Sequence, residues 1–241
     1  MEPDNSKSRR RDKHNKQQQH TDESVKVPPP AKTDNQVGVE AQQETPLSLS
    51  PAVLASVQQH VQSLMPKNQC YENMNLIIPT STGGKGGVYL GDLKAAQDHQ
   101  KLISKNVRFV LSVIPKGGGT ITVYKDVGIT QLVVDAQDES GFNITSVFKQ
   151  AFDFLDKARQ TSNVLIHCVG GRSRSASVLC AYYVKTFRKS AAWALAVLQT
   201  IRPVVNPNPG FQLQLKNFSN YMQANDYVYN GESFFDKVSF D

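Results

Sequence analysis

The apolar residues of this 241-residue chain are distributed unevenly, and their spacing changes along its length. The first 46 residues are mainly Gln, Asn, Asp, Ser, Lys and Pro. Such a segment buries too little apolar surface to offset the entropy lost on ordering, so we expect a disordered arm over residues 1–49. Ser50 and Pro51 then form a helix start, and apolar residues at helical spacing continue to Pro66. This pattern predicts an amphipathic helix over residues 50–66, which packs on the following domain or, alternatively, docks a partner protein.

Over residues 74–225, short apolar runs alternate with longer amphipathic segments. The short runs predict strands at residues 88–90, 107–114, 120–125, 129–134 and 164–166. Helical spacing predicts helices at residues 92–104, 142–158, 176–184, 191–199 and 210–222. Strands that alternate with helices in this way predict an α/β sandwich in which helices cover both faces of the sheet.

Composition narrows the class of protein. Hydrophobic residues make up 39% of the chain, but no apolar run approaches the roughly 20 residues of a membrane span, and none is expected. The N-terminus also lacks the apolar core of a signal peptide. The three cysteines, Cys70, Cys168 and Cys180, form no disulfide framework and favour a reducing compartment, so we expect a cytoplasmic and/or nuclear protein. No Cys-x2-Cys pair or His-x-His cluster occurs, and we expect neither a metal nor another cofactor.

The net charge of +6 is concentrated in one part of the chain. Residues 81–218 contain 17 Lys and Arg against 8 Asp and Glu, whereas residues 219–241 contain one Lys against four acidic residues. The basic excess is either ordinary surface charge or an attraction for acidic, phosphorylated substrates. No recognition motif accompanies it, so we do not expect nucleic acid binding. The acidic, aromatic tail over residues 226–241 is expected to pack along the domain or, alternatively, to lie over its basic face.

The segment Val164-Leu-Ile-His-Cys-Val-Gly-Gly-Arg-Ser-Arg-Ser175 predicts a strand, a tight loop and a helix in succession. Loop amides that converge on a helix N-terminus suit a phosphate dianion. Cys168 lies within this positive field, which favours its thiolate, the nucleophilic form of cysteine. Arg174 follows six positions later, and its guanidinium can bind two phosphate oxygens at once. The segment therefore encodes a nucleophile, an anion cradle and a clamp.

The pattern His-Cys-x5-Arg-Ser resembles the signature of the cysteine-dependent protein tyrosine phosphatase superfamily. Flanking residues 87–96 and 201–215 narrow the resemblance to its dual-specificity branch. The resemblance implies a central mixed, mostly parallel sheet of about five strands with helices on both faces, in a catalytic domain over residues 74–225. It also implies a metal-independent protein phosphatase that hydrolyses phosphotyrosine and phosphoserine or phosphothreonine through a phosphocysteine intermediate. Its partners would be phosphorylated proteins, with a mitogen-activated protein kinase as a candidate.

The same resemblance assigns roles to individual residues. Cys168 is the expected nucleophile, and Arg174 the residue that binds the phosphate and its developing charge. The substrate-binding loop between them consists of Val169, Gly170, Gly171, Arg172 and Ser173. Three residues are expected to support this loop: His167 orients it, Ser175 steadies the thiolate as it leaves, and Asn208 braces it from a distance.

The loop contains no carboxylate, so the acid that protonates the leaving group must come from elsewhere in the chain. In the family this acid is an Asp that follows a strand upstream of the cysteine. Asp135 ends the apolar run 129–134 and is the expected acid. Asp138, in the same loop, is the rival.

Arg172 leaves a second function open. Lipid phosphatases of the superfamily carry one basic residue four positions after the cysteine and another directly after it; here these places hold Arg172 and Val169. Because half of that pattern is present, a phosphoinositide phosphatase is the first alternative. A catalytically silent protein that binds phosphopeptides is the second, and the intact Cys168, Arg174 and Asp135 argue against it.

Overall fold

The computed structural model describes residues 49–64, 72–117 and 124–229, and five strands within them form one sheet. The strands are β1 (Met74–Ile78), β2 (Val88–Gly91), β3 (Val107–Val113), β4 (Thr130–Val134) and β5 (Asn163–His167). They lie in the order β1-β2-β5-β3-β4. Strand β1 runs antiparallel to β2, and all other neighbouring strands run parallel. The mixed, mostly parallel sheet that the family resemblance implies is therefore confirmed.

Apolar side chains cover both faces of the central strand β5, as is typical of a parallel sheet. Val164 and Ile166 belong to the larger core cluster, whereas Leu165 belongs to a smaller one. Because successive side chains of a strand point to opposite faces, three consecutive apolar residues supply both cores. The apolar run that predicts this strand is thus explained by burial on two sides.

Seven α-helices flank the sheet in the described part of the chain. Helices α2 (Leu93–Gln97) and α3 (His99–Ser104) contribute to the smaller core. The larger core is built from α1 (Pro51–Leu64), α4 (Phe148–Ala158), α5 (Arg174–Phe187), α6 (Ala191–Ile201) and α7 (Pro209–Ala224). Two short 3-10 segments are Lys125–Val127 and Ile144–Val147. Helices on both faces confirm the predicted layering, and none of those described is long and apolar enough to cross a membrane.

Helix α5 is the most enclosed helix of the domain. All its residues from Arg174 to Val184 are buried, and it contacts α4, α6 and α7. A helix that is surrounded by neighbours needs apolar or small residues on every face, which accounts for its Ala, Val and Leu content. The loop that precedes α5 is therefore attached to the centre of the fold.

Three predicted elements differ from the structure. The sequence pattern misses β1 because the polar Asn75 interrupts its apolar run. The Asn75 side chain can be buried in this strand because its Oδ1 accepts a hydrogen bond from Arg202 Nη1 at 2.9 Å. Of the strand predicted at residues 120–125, residues 120–123 lie outside the described residues. The prediction is wrong at Lys125, which begins a 3-10 segment. The helix predicted at residues 92–104 divides at Asp98, whose carboxylate accepts from the Lys101 amide at 2.9 Å and begins α3.

Helix α1 packs on α6 of the same domain. Its residue Val57 is 1% exposed, and Trp193 Nε1 on α6 donates to Ser56 Oγ at 3.4 Å. Leu54 remains 45% exposed, so only part of the predicted apolar stripe is buried. Packing on its own domain is thus observed for this helix.

At the C-terminal end of the described residues, the centroid of the Tyr229 ring lies 5.3 Å from that of Phe152 and 5.7 Å from that of Phe218. The start of the aromatic tail therefore packs along the domain. The remainder of the tail, residues 230–241, lies outside the described residues. The same holds for the predicted disordered arm, apart from its last residue.

Candidate active site

The carboxyl ends of strands β2, β5 and β3 meet at one edge of the sheet. Their residues Gly91, His167 and Ser112 are neighbours in register, and Cys168 follows directly after β5. Crevices outside the carboxyl ends of parallel strands are the usual ligand sites of such sheets. The loop from Cys168 to Ser173 runs along this edge, and α5 begins immediately after it.

The loop depends on Gly171 for its path. Gly171 has a φ of +61°, which side-chain-bearing residues rarely adopt. A Cβ atom at this position would lie 2.3 Å from the Gly91 carbonyl oxygen of β2. The absence of a side chain thus lets the loop turn while it touches the neighbouring strand.

Cys168 and Arg174 lie at the two ends of this loop and are both buried. Cys168 is 1% exposed, and its sulfur accepts a hydrogen bond from Ser175 Oγ at 3.2 Å. Arg174 Nε is buried and has no hydrogen-bond acceptor within the described residues. Asp138 Oδ2, at 3.6 Å, forms an ion pair with it but lies beyond hydrogen-bond range. A buried thiol and a buried guanidinium nitrogen with unused donor capacity therefore lie at the two ends of one short loop.

The structure brings Asp138 to the loop, and not Asp135. Ser173 Oγ donates to Asp138 Oδ1 at 2.5 Å, and Asn208 Nδ2 donates to the same oxygen at 3.1 Å. Asp135 Oδ1 instead accepts from the backbone amide of Lys116 at 2.9 Å. Of the two candidate acids, the rival Asp138 therefore contacts the loop, whereas the expected acid Asp135 contacts the Lys116 backbone.

The reason lies in the backbone beyond β4. Ile114 N donates to Val134 O at 3.2 Å, and Ala136 N donates back to Ile114 O at 3.3 Å. Backbone pairing with the segment that follows β3 thus continues past the last residue of β4, so Asp135 still lies beside Lys116. Only after the buried Ala136 can the chain turn toward the cysteine loop. The strand-end argument points to this connection, and the geometry favours Asp138 over Asp135 as the carboxylate beside the loop.

Asn208 links the cysteine loop to α7. Its side-chain oxygen accepts from the Phe211 amide at 3.0 Å and so caps the helix. Its backbone amide donates to Ser173 Oγ at 3.2 Å. One residue thereby contacts the helix, the loop and Asp138, as its predicted bracing role requires.

Arg172 and Val169 lie on the outer side of the loop. Val169 is 53% exposed, directly beside the buried Cys168. Arg172 is also exposed and borders a cavity of about 420 Å³ with Asn206, Gln212 and Asp138 among its other lining residues. The loop therefore carries a solvent-exposed cation in addition to the buried guanidinium of Arg174.

His167 is buried on the inner side of the loop. Its Nε2 lies 2.7 Å from Ser112 Oγ and its Nδ1 3.2 Å from the Cys168 carbonyl oxygen. Burial lowers the pKa of the imidazole from 6.5 to about 4, although the Cys168 carbonyl and the charge of Asp92 act in the opposite direction. The side chain is therefore neutral near pH 7.

We expect His167 to weaken the fold as the pH falls from about 6.5 to about 4. In that range the unfolded imidazole binds a proton and the folded one does not, so the free energy of unfolding decreases. The difference between the two pKa values corresponds to roughly 3 kcal/mol at the low end of the window. Urea unfolding between pH 7 and pH 4.5 measures it, and His167→Asn should lose this part of the pH dependence. An unchanged pH dependence in the variant would contradict the assignment.

Sequence reasoning missed three residues that contact the site. Arg202 is fully buried; its Nε donates to Gly171 O at 3.1 Å and its Nη1 to Glu72 O at 2.8 Å. Gln131 and Ser112 lie behind His167, where Gln131 Nε2 donates to Ser112 Oγ at 2.8 Å. Two features of the sequence could have indicated these residues. Ser112 is a polar residue inside the apolar run 107–114, and Arg202 lies in a flanking segment that carries the family resemblance.

The arrangement can bind an anion and attack it. Within residues 49–64, 72–117 and 124–229, no group of three or more His, Cys, Asp or Glu is placed to hold a metal ion. The chemistry that these side chains can supply is that of a thiol nucleophile, a guanidinium and a carboxyl group at one loop.

Comparisons with known proteins agree with this chemistry. The family model "Dual specificity phosphatase, catalytic domain" matches residues 88–221, more than half of the chain. Dual specificity protein phosphatase 1 of Arabidopsis thaliana is 35% identical over 147 residues, which are 59% of this chain and 71% of that protein. Dual specificity protein phosphatase 22 of Homo sapiens is 31% identical over 149 residues, 61% of this chain and 74% of that protein.

Solved structures show the same fold. The crystal structure of human DUSP28 has a TM-score of 0.55 and 25% sequence identity, and the match covers 65% of this chain and 99% of that one. The crystal structure of DUSP15 has a TM-score of 0.56 at 23% identity, with 70% and 100% covered. The chain belongs to the dual specificity phosphatase family of cysteine-dependent protein tyrosine phosphatases and is a phosphoric monoester hydrolase.

Proposed function

We propose that this enzyme dephosphorylates phosphotyrosine and phosphoserine or phosphothreonine in proteins through a phosphocysteine on Cys168. The observation that carries the proposal is the convergence of Cys168, Arg174 and Asp138 on one loop. The Cys168 sulfur accepts from Ser175, and Asp138 lies 3.6 Å from Arg174. These are the nucleophile, the anion clamp and the proton donor that the reaction needs.

In the first step, the Cys168 thiolate attacks phosphorus, so that an S–P bond forms while the P–O bond to the substrate breaks. Arg174 and the loop amides bind the equatorial oxygens, whose charge grows in the transition state. Asp138, as the protonated acid, transfers its proton to the departing oxygen. When phosphate enters, its oxygens offer Arg174 Nε a hydrogen-bond acceptor, which that atom lacks among the described residues.

In the second step, water attacks the phosphocysteine. Asp138, now a carboxylate, accepts a proton from this water, and the S–P bond breaks to release inorganic phosphate. Ser175 Oγ, which donates to the sulfur at 3.2 Å, stabilises the thiolate that departs. The same carboxyl group therefore serves as acid and then as base.

Arg172 favours substrates with a second anionic group near the phosphate. Its exposed guanidinium, the cavity beside it and the basic excess of the domain suit phosphorylated proteins with acidic or doubly phosphorylated segments. A mitogen-activated protein kinase is one candidate, and an inositol phosphate headgroup is the alternative. We also propose a cytoplasmic and/or nuclear location, because the thiol of Cys168 must remain reduced.

A substrate panel tests this function. The full chain is incubated, with chelator present, with phosphotyrosine and phosphothreonine peptides, a doubly phosphorylated peptide, and vesicles that contain phosphoinositides. We expect phosphate release from the peptides, with a preference for the doubly phosphorylated one that Arg172→Ala reduces. Hydrolysis of the lipids alone would reassign the substrate class. Binding of phosphopeptides without turnover of any substrate would make the protein a reader of phosphorylation.

A further inference from the structure

Behind the cysteine loop, hydrogen bonds join side chains from three adjacent strands. Gln131 Nε2 on β4 lies 2.8 Å from Ser112 Oγ on β3. Ser112 Oγ lies 2.7 Å from His167 Nε2 on β5, and His167 Nδ1 lies 3.2 Å from the Cys168 carbonyl oxygen. Ser112 and His167 are buried. The series therefore ends at the backbone of the proposed nucleophile and begins two strands away.

Strand register explains how these side chains meet. Ser112 is paired with His167 on one side and with Val133 on the other. Gln131 lies two residues before Val133 and so on the same face of β4, diagonal to Ser112. A glutamine side chain is long enough to span that diagonal. The contact is thus a consequence of the strand order β5-β3-β4 and not of sequence proximity.

The donor and acceptor of each hydrogen bond in this series follow from the Cys168 carbonyl oxygen at its end, which can only accept. A carbonyl oxygen cannot donate, so His167 Nδ1 must carry the hydrogen in the contact with Cys168. A neutral imidazole has only one such hydrogen, so Nε2 is an acceptor and Ser112 must give it its hydroxyl hydrogen. Ser112 can then only accept from Gln131, and the Gln131 amide has to present its nitrogen. One tautomer of His167 satisfies all four groups.

We propose that Gln131 is a positioning residue: through Ser112 it holds His167 as the Nδ1–H tautomer, and this imidazole orients the Cys168 carbonyl and the start of the phosphate-binding loop. In the other tautomer, a lone pair of Nδ1 would face the carbonyl oxygen and repel it. The loop start would then move, and with it the sulfur. Gln131 therefore influences the reaction without contact to the substrate.

Substitution of Gln131 by glutamate replaces the amide that donates to Ser112 with a carboxylate of nearly the same size that can only accept. A carboxylate can only accept, so it would take the Ser112 hydrogen and leave His167 Nε2 without a donor. Methionine removes the donor without reversing it and is the intermediate variant. Gln150→Glu, at an exposed position on α4, is the matched control for the same chemical change.

The primary readout is the nitrogen chemical shifts of His167 in labelled protein near pH 7, which distinguish the two tautomers and the imidazolium. We expect the Nδ1–H form in the wild type and in Gln150→Glu, and the Nε2–H or protonated form in Gln131→Glu. This measurement does not depend on the proposed function. An Nε2–H wild type, or a Gln131→Glu variant with the wild-type signature, would overturn the proposal.

The kinetic readout rests on the proposed function. We expect kcat/KM to fall about fivefold in Gln131→Met and further in Gln131→Glu, in line with the net value of one hydrogen bond. In a Ser112→Ala background the contact between Gln131 and His167 through Ser112 is already absent, so Gln131→Glu should cause no further loss of kcat/KM. Non-additive effects of the two substitutions would therefore support the series of hydrogen bonds. Full additivity would contradict it. Tautomers as expected in an inactive protein would instead reject the proposed function alone.

Discussion

Replacing Cys168 by serine should lower phosphatase activity by about 10⁴-fold or more and leave binding of phosphopeptide largely intact. The expected loss is large because a hydroxyl is a far weaker nucleophile than a thiolate. The atoms that hold phosphate remain, since Arg174 and the loop amides are unchanged. The variant should therefore retain the substrate instead of turning it over.

Hydrolysis of an aryl phosphate and equilibrium binding of a phosphotyrosine peptide measure the two effects separately. Cys180→Ser is the matched control, because this second cysteine is fully buried in α5 and its sulfur contacts the Ala191 carbonyl at 3.6 Å, away from the loop. The control should keep its activity. Turnover by Cys168→Ser at the wild-type rate would exclude the phosphocysteine intermediate.

Replacing Asp138 by asparagine should cost about 10² to 10⁴-fold in kcat on alkyl phosphates such as phosphothreonine. The loss should be much smaller on an aryl phosphate with a good leaving group, which departs without a proton. Asparagine retains an oxygen that can accept from Ser173 and Asn208, so the contacts of Asp138 at 2.5 and 3.1 Å can persist. A dependence on the leaving group thus reports proton transfer and not a loosened loop.

Asp135→Asn is the matched control for this second prediction. Its carboxylate accepts from the Lys116 amide at 2.9 Å, and the amide oxygen of asparagine can do the same. We expect nearly wild-type rates on both substrates. If Asp135→Asn shows the leaving-group effect and Asp138→Asn does not, the acid is Asp135 and the loop between them must rearrange when substrate binds.

The contrast between these two carboxylates shows where sequence reasoning stops. Both follow the same apolar run, and sequence patterns cannot reveal that backbone pairing with Ile114 continues to Ala136. That pairing decides which carboxyl group turns toward the cysteine. Arg202 is a similar case, because the sequence gives no sign that this arginine will be 0% exposed and bonded to Gly171.

The strands show the same division. The buried runs of β3, β4 and β5 are visible in the sequence because continuous apolar residues have few alternatives to a two-sided sheet. Strand β1 was missed because Asn75 interrupts its run, and the arginine that satisfies this amide lies 127 positions later. A polar residue can be recognised as part of a core only when its partner is known.

By itself, the sequence determines the site from Cys168 to Ser175, because a strand end, a glycine turn and a helix start are local events that six to eight consecutive residues can specify. It also determines the α/β class through the alternation of apolar runs. Only the tertiary structure decides which aspartate reaches the loop, how Arg202 holds Gly171, and how Gln131 reaches His167. These contacts join residues from separate strands and loops, and their geometry depends on strand order and register, which no local pattern encodes.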